Sequence, residues 1–330
     1  MRALQIVKYG DIKDSLAFNE VSKPAVQATD ILIEVKAAAI NPIDKSIILG
    51  NLQGLLPIPF PSTSAYDVSG IVVEKGDDVS NFEIGDLVYS RVPQEQMGTI
   101  AEYVAVTSEA VSKKPGNISF EEAAGIPLAG LTALQSLEFA GIKANDRFLI
   151  HAGSGGVGSL AIQYAKAKGA YVYTTTSTEN VQWVKELGAD RVIDYKTEDY
   201  KNIVKDLDVI YDTLGQKYTA EAFEVVRKGG QVISVVGPLD EETATMFGMA
   251  DYKLPEELAT LSAEKDASYK FIFMHPNGAH LAEIKTMIED EKIRPIVDTI
   301  YPFAESIDAF THLATGRAKG KIVIKINRGR

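Results

Sequence analysis

The chain of 330 residues contains no cysteine. Without thiols there is no disulfide, no thiolate nucleophile, no iron–sulfur cluster and no Cys-ligated zinc. Histidine is scarce as well. His151, His275, His280 and His312 are the only four, and no two are spaced as His-x-x-x-His on one helix face. No apolar run approaches the roughly 18 residues that span a bilayer. The opening Met1-Arg2-Ala3-Leu4-Gln5-Ile6-Val7-Lys8 alternates like a strand and has no signal-peptide core. Positive charge is in deficit, with 34 Lys and Arg against 45 Asp and Glu for a formal net charge of −11. Binding a phosphate backbone needs clustered cations, so a nucleic-acid partner is not expected. These absences together predict a metal-free cytoplasmic protein with neither membrane nor nucleic acid as partner.

What is present is an ordinary globular composition, 45% hydrophobic and 24% charged, in a chain long enough for two domains. The first third reads as β-rich. Strands are expected at residues 3–8, 31–39, 68–74, 86–91 and 101–106, broken by turn chemistry such as Lys75-Gly76-Asp77-Asp78. Residues 50–61 hold Pro57, Pro59 and Pro61 and should form an irregular loop. The character changes near Phe120. Short helices are expected at 120–125 and 129–139, followed by a succession of βα units. Their strands are placed at 147–151, 171–175, 191–194, 208–213, 231–236 and 270–274, and their helices at 157–168, 180–187, 218–227 and 279–290. Gly169, Gly188 and the pair Gly229-Gly230 read as helix-closing glycines. A helix near 306–315 and a strand at 321–326 end the pattern.

The strongest chemical signal is Gly153-Ser154-Gly155-Gly156-Val157-Gly158, led in by Phe148-Leu149-Ile150 and continued at helical spacing by Leu160, Ala161, Tyr164 and Ala165. A G-x-G-x-x-G run between strand and helix permits a tight turn, a close backbone approach and free N–H donors for a pyrophosphate. Ser154, Gly155, Gly156 and Val157 are therefore cofactor-binding candidates. An NAD site usually ends its second strand in a carboxylate that takes the ribose 2′-OH. Here the second strand ends in Thr174-Thr175-Thr176-Ser177-Thr178, small hydroxyls that suit a 2′-phosphate and favour NADPH over NADH. Glu179 is the rival carboxylate; its alternative role is to complement a helix dipole.

Segments along nearly the whole chain resemble one family. They are Ala39-Ile40-Asn41-Pro42-Ile43-Asp44, Tyr66-Asp67-Val68-Ser69-Gly70-Ile71-Val72, the glycine loop with His151, Leu187-Gly188-Ala189-Asp190 and Gly320-Lys321-Ile322-Val323. In this order they resemble the zinc-free quinone oxidoreductase and alkenal/enone reductase branch of the medium-chain dehydrogenase/reductase superfamily. The resemblance implies an α/β chain with a Rossmann doubly wound parallel sheet plus a GroES-like β-rich domain. The GroES-like catalytic domain would comprise 1–123 plus 295–330, and the Rossmann NADPH-binding domain 124–294. It also implies a homodimer, paired along a sheet edge near 231–236 or 270–274, and an active site between the domains.

Zinc-dependent members carry Cys at the position of Asn41 and Gly-His-Glu at Ala65-Tyr66-Asp67. Without those ligands Asp67 alone cannot hold catalytic zinc, so no metal site is expected. A hydride donor without a metal suits an acceptor that is already electrophilic, a quinone or an α,β-unsaturated carbonyl. The resemblance places Asn41 and Tyr66 as catalytic candidates. Asn41 would orient a carbonyl, or else merely start a turn before Pro42; Tyr66 is a hydroxyl donor or an aromatic wall. Asp44 or Lys45 would form part of the cleft, but each reads more readily as a structural salt-bridge partner or a solvated loop charge. For the cofactor, the resemblance implies Thr132, Gly237 and Phe273 near the nicotinamide, and Thr176, Ser177, Asn180 and Tyr195 around the 2′-phosphate. Arg317 or Lys321 would be a compensating cation, or else a surface charge, because Asn180 stands where some relatives place Lys. Two other functions remain open: an NADPH-binding sensor or structural protein with little turnover, and a reductase for a dedicated enoyl metabolite.

Overall fold

The computed structural model describes residues 1–327. The chain divides into two compact units, one formed by Met1–Leu131 with the chain from His275 onward, the other by Thr132–Met274. The boundaries expected from the sequence, 123/124 and 294/295, lie 8 and 20 residues from these divisions. Helix Gly278–Glu289 packs on strand Val111–Lys113 of the first unit, where Gly278 lies so close that a Cβ would meet the Val111 carbonyl at 2.4 Å. Among the described residues no helix is long and apolar enough to cross a membrane.

The first unit is built on a seven-stranded sheet. Its order is Val297–Pro302, Lys321–Lys325, Asp30–Ile40, Asp67–Lys75, Leu87–Arg91 and Val111–Lys113, and Tyr103–Thr107 also pairs with Asp30–Ile40. All pairings are antiparallel except that of Val297–Pro302 with Lys321–Lys325. Apolar residues such as Ile31, Ile33, Val35, Val68, Val72 and Val88 alternate to one face and form the core. On the other face Ala37 and Ala39 are small enough for the short helix Phe120–Ala124 to pack against them. A three-stranded antiparallel sheet of Leu16–Glu20, Arg2–Ile6 and Ser62–Thr63 completes the unit. The C-terminal strand pairs Ile322 with Ile40, which brings Lys321 level with Asn41 although 280 residues separate them.

The second unit is a six-stranded parallel sheet. Its order is Arg191–Asp194, Tyr171–Thr176, Arg147–Ile150, Leu207–Asp212, Val226–Ser234 and Ser268–Phe271. Numbered from the first of these in sequence, the order is 3-2-1-4-5-6, that of doubly wound dinucleotide-binding sheets. The central strands Arg147–Ile150 and Leu207–Asp212 are largely apolar and buried, as a sheet covered on both faces requires. Helices Gly156–Ala167, Val181–Lys185 and Lys217–Val225 fall close to expectation.

Two expectations here are corrected. Gly229 and Gly230 do not close a helix; they lie inside strand Val226–Ser234, which begins directly after Val225. There the Gly229 N–H reaches the Asp266 carbonyl at 2.7 Å. Nor can 231–236 be a free edge, because that strand is paired on both sides, with Leu207–Asp212 and Ser268–Phe271. Helices Glu241–Met246 and Glu256–Lys265 had no counterpart in the sequence reading.

Candidate active site

In the first unit the sequence candidates meet in a buried polar cluster. Asn41 caps helix Pro42–Ile48 with extended backbone, and Pro42 follows at the first helical position. Its side chain is engaged in the polar cluster. The amide Nδ2 donates to Asp67 Oδ2 at 2.9 Å, and its Oδ1 accepts from Lys321 Nζ. Lys321 Nζ also lies 3.2 Å from Asp67 Oδ2, with the two side chains 6% and 0% exposed. The second carboxylate oxygen of Asp67 takes the Leu128 backbone N–H at 2.8 Å. The ion pair is therefore buried but closed by hydrogen bonds, the condition under which buried charges are tolerated.

Asp44 lies beside this pair and differs from expectation: it is neither solvated nor salt-bridged. Its Oδ2 accepts the Asn41 backbone N–H at 2.7 Å, while Oδ1 is buried without a partner. Burial raises its carboxyl from 3.8 to about 7. The Asn41 N–H opposes that rise, Asp67 adds to it, and Lys321 and Arg91 act against it. Tyr66 is fully buried, its hydroxyl on Gln94 Oε1 and its ring beneath the Arg91 guanidinium, 4.6 Å from the centroid. Burial pushes the phenol upward, and the nearby Asp44 adds to this. Arg91 donates to the Val92 carbonyl at 3.0 Å while its Nε has no partner. Burial pulls its guanidinium downward. Arg91 carried no sequence signal beyond ending a strand. Lys321 is corrected as a cation for a 2′-phosphate, since its ammonium is already engaged by Asn41 and Asp67.

In the second unit the glycine loop has the geometry its spacing predicts. A Cβ on Gly153 would lie 2.2 Å from Thr174 Oγ1, and one on Gly158 2.3 Å from the Ala152 carbonyl, so both must be glycine. Gly155 meets nothing nearer than 3.3 Å. Its missing side chain therefore opens the outer face of the loop rather than relieving a clash. Gly155 caps helix Gly156–Ala167 without a side-chain bond, and Ser159 N–H to the Gly155 carbonyl is the first helical hydrogen bond. The N–H groups of Gly156, Val157 and Gly158 precede it, the donors an anion uses.

His151, next to the loop, is fully buried against Tyr200 and Tyr218. Its Nδ1 lies 3.2 Å from Thr175 Oγ1. Burial pulls the imidazole down to about 4, against the pull of Asp212 and Glu221. At the adjacent strand end Asp212 accepts from Leu214 N, Gly215 N, Thr219 Oγ1 and Ser234 Oγ, at 2.9, 2.8, 2.6 and 3.0 Å. The Asp212-Thr213-Leu214-Gly215 turn signal could have found it.

At the end of the second strand Thr176 is buried with no partner for its hydroxyl. Asn180 is spent internally, donating to Ser177 Oγ at 3.0 Å and accepting from Trp183 Nε1 at 2.9 Å. The Tyr195 ring is 60% exposed. Thr132 lends its carbonyl to Tyr211 OH at 3.2 Å. Gly237 donates its N–H to Ser234 Oγ at 2.8 Å, and a Cβ there would meet Tyr269 OH at 2.7 Å. Phe273 is half-buried, edge-on to Phe247 at 4.9 Å. Among the described residues no group of three or more His, Asp or Glu is placed to hold a metal ion.

A parallel sheet in the order 3-2-1-4-5-6, with a glycine loop leaving its first strand, defines the dinucleotide-binding class of α/β proteins. Comparison with known proteins narrows this. Residues 27–116 match the alcohol dehydrogenase GroES-like domain and residues 187–324 a family described as zinc-binding dehydrogenase. The chain is 35% identical to 2-methylene-furan-3-one reductase of Solanum lycopersicum, over 98% of this chain and 79% of that one. It is 34% identical to the chloroplastic NADPH-dependent alkenal/one oxidoreductase of Arabidopsis thaliana, with the same two coverages. The quinone oxidoreductase of Coxiella burnetii has a similar structure, with a TM-score of 0.87, 32% identity and 99% of each chain covered. The chain belongs to the medium-chain dehydrogenase/reductase superfamily, in its quinone oxidoreductase and alkenal/enone reductase branch.

Proposed function

We propose that the protein is an NADPH-dependent oxidoreductase that reduces quinones or α,β-unsaturated carbonyls, and that it does so without zinc. The observation that carries this reading is the glycine loop, closed at Gly153 and Gly158 and open at Gly155. The activities in the names of its relatives, alkenal/one oxidoreductase and quinone oxidoreductase, supply the acceptor class.

Bound NADPH would supply a hydride. The residues of this chain bind and orient. The N–H groups of Gly156 and Val157, with Ser154 and the bare Gly155, receive the pyrophosphate. Thr176, Ser177, Asn180 and Tyr195 border the adenosine ribose, and Thr132, Gly237 and Phe273 the nicotinamide. Asn41 has two amide hydrogens, of which one is spent on Asp67; the second orients the acceptor carbonyl. Its position is held by Lys321 and Asp67, so Asn41 is the catalytic candidate and those two are positioning residues. Tyr66, with its hydroxyl committed to Gln94, contributes the wall and the ring on which Arg91 rests.

The residues at the metal positions of zinc-dependent members do not fit zinc. Asn41 and Asp67 face the Lys321 ammonium, and a second cation there would meet repulsion and lose both partners. A homodimer along the unpaired side of strand Ser268–Phe271 and a cytoplasmic location complete the reading.

The test is cofactor oxidation by EDTA-treated protein, followed by absorbance, with NADPH or NADH against a benzoquinone, a naphthoquinone and a short 2-alkenal. Turnover with NADPH that chelator leaves unchanged is expected. Oxidation of a simple alcohol that chelator abolishes would overturn the zinc-free assignment.

A further inference from the structure

The loop after the second strand of a dinucleotide-binding sheet receives the adenosine ribose; a carboxylate there takes the 2′-OH, and a cation accommodates a 2′-phosphate. This chain has both groups, and they hold each other. Strand Tyr171–Thr176 leads into Ser177 and Glu179. Strand Arg191–Asp194, its neighbour, pairs Asp194 with Thr176 and leads into Tyr195 and Lys196. Lys196 Nζ lies 2.9 Å from Glu179 Oε2, the two side chains 49% and 56% exposed.

Glu179 takes more than the ammonium. Its own backbone N–H, the Lys196 ammonium and the Ser177 hydroxyl lie close enough to hold the carboxylate down at about 2. Asp194 does not compete for Lys196 Nζ: its oxygens accept from Thr178 Oγ1 at 2.6 Å and from the Lys196 backbone N–H at 3.0 Å. Ammonium, hydroxyl and backbone N–H around one carboxylate are the donors that a phosphate monoester takes.

We propose that Glu179 is an internal stand-in for the 2′-phosphate, and that its exchange for that phosphate at Lys196 and Ser177 sets the preference between NADPH and NADH. The inference rests on the reading of a nicotinamide dinucleotide in the glycine loop and adds the group that discriminates. NADPH displaces Glu179 from Lys196. NADH leaves the pair closed, with the carboxylate beside the 2′-OH.

The test is isothermal titration of the whole protein with NADPH and with NADH, for the native chain, Glu179→Gln, Lys196→Met and the double variant. Glu179→Gln should tighten NADPH by roughly twofold to fivefold and move NADH by less than about 1.5-fold, the scale of an exposed ion pair. Lys196→Met should weaken NADPH selectively, and more so in the Glu179→Gln background, where the ammonium is no longer shared. Equal shifts for NADPH and NADH would overturn the inference, as would effects that simply multiply in the double variant. Native protein that binds neither nucleotide overturns the underlying reading as well. That failure shows before any variant is compared.

Discussion

Replacing Asp44 with asparagine tests the buried cluster through its pH dependence. In the folded chain burial raises this carboxyl from 3.8 to about 7. Below the lower value the group is protonated whether the chain is folded or not. Between the two, the unfolded chain has lost the proton and the folded chain keeps it, so unfolding releases a proton and rising pH favours unfolding. Above about 7 both states are ionised and the loss is complete. Three pKa units correspond to roughly 4 kcal/mol. Asparagine keeps an oxygen for the Asn41 N–H and cannot titrate. The Asp44→Asn variant should therefore match the native protein near pH 4 and exceed it by up to about 4 kcal/mol near pH 8. Urea unfolding followed by far-ultraviolet circular dichroism across that range measures the gap. Fluorescence of Trp183, the sole tryptophan and part of the second unit, serves as the control. A gap that stays constant, or that closes as pH rises, would refute the assignment of Asp44 as a carboxyl kept protonated by burial.

The second unit should show the opposite slope. His151, pulled from 6.5 to about 4 by burial, stays neutral while the unfolded chain takes up a proton. Stability should thus be full above 6.5 and fall by roughly 3 kcal/mol as pH drops toward 4; Trp183 unfolding curves should show this slope, and His151→Phe should flatten it. Gly155→Ala, whose Cβ would lie 3.3 Å from the Ala152 carbonyl at the helix N-cap, should lower the urea midpoint only slightly, while NADPH affinity in titration falls at least about tenfold. Gly158→Ala, whose Cβ would press on the Ala152 carbonyl, should lose both stability and binding. Lys321→Met leaves Asp67 buried without its cation and should destabilise the first unit by about 3–5 kcal/mol. The double variant with Asp67→Asn should recover part of that loss, and an undiminished urea midpoint in the single variant would show that the pair carries no such role.

The second unit was legible in the sequence almost strand by strand. Its helices and strands are contiguous, each βα step repeats one pattern, and the glycine loop states its geometry within six residues. The same local logic failed at Gly229-Gly230, where a strand rather than a cap follows the helix, because glycine alone does not say which element comes next. It failed again for the sheet edge, since strand order is a property of the whole sheet.

The succession of βα units and the pyrophosphate loop were readable from neighbouring residues, and the loss of zinc-type ligands from the family resemblance. Only the tertiary structure decided what replaces those ligands. Lys321 reaches Asn41 and Asp67 across 280 and 254 residues through the antiparallel pairing of the last strand with Asp30–Ile40. It also decided that Glu179 faces Lys196, because two parallel strands end side by side. Spacing along the chain records what one helix or turn can bring together. Burial and charge pairing depend on which strands become neighbours, and that is set by how a whole sheet closes over its core.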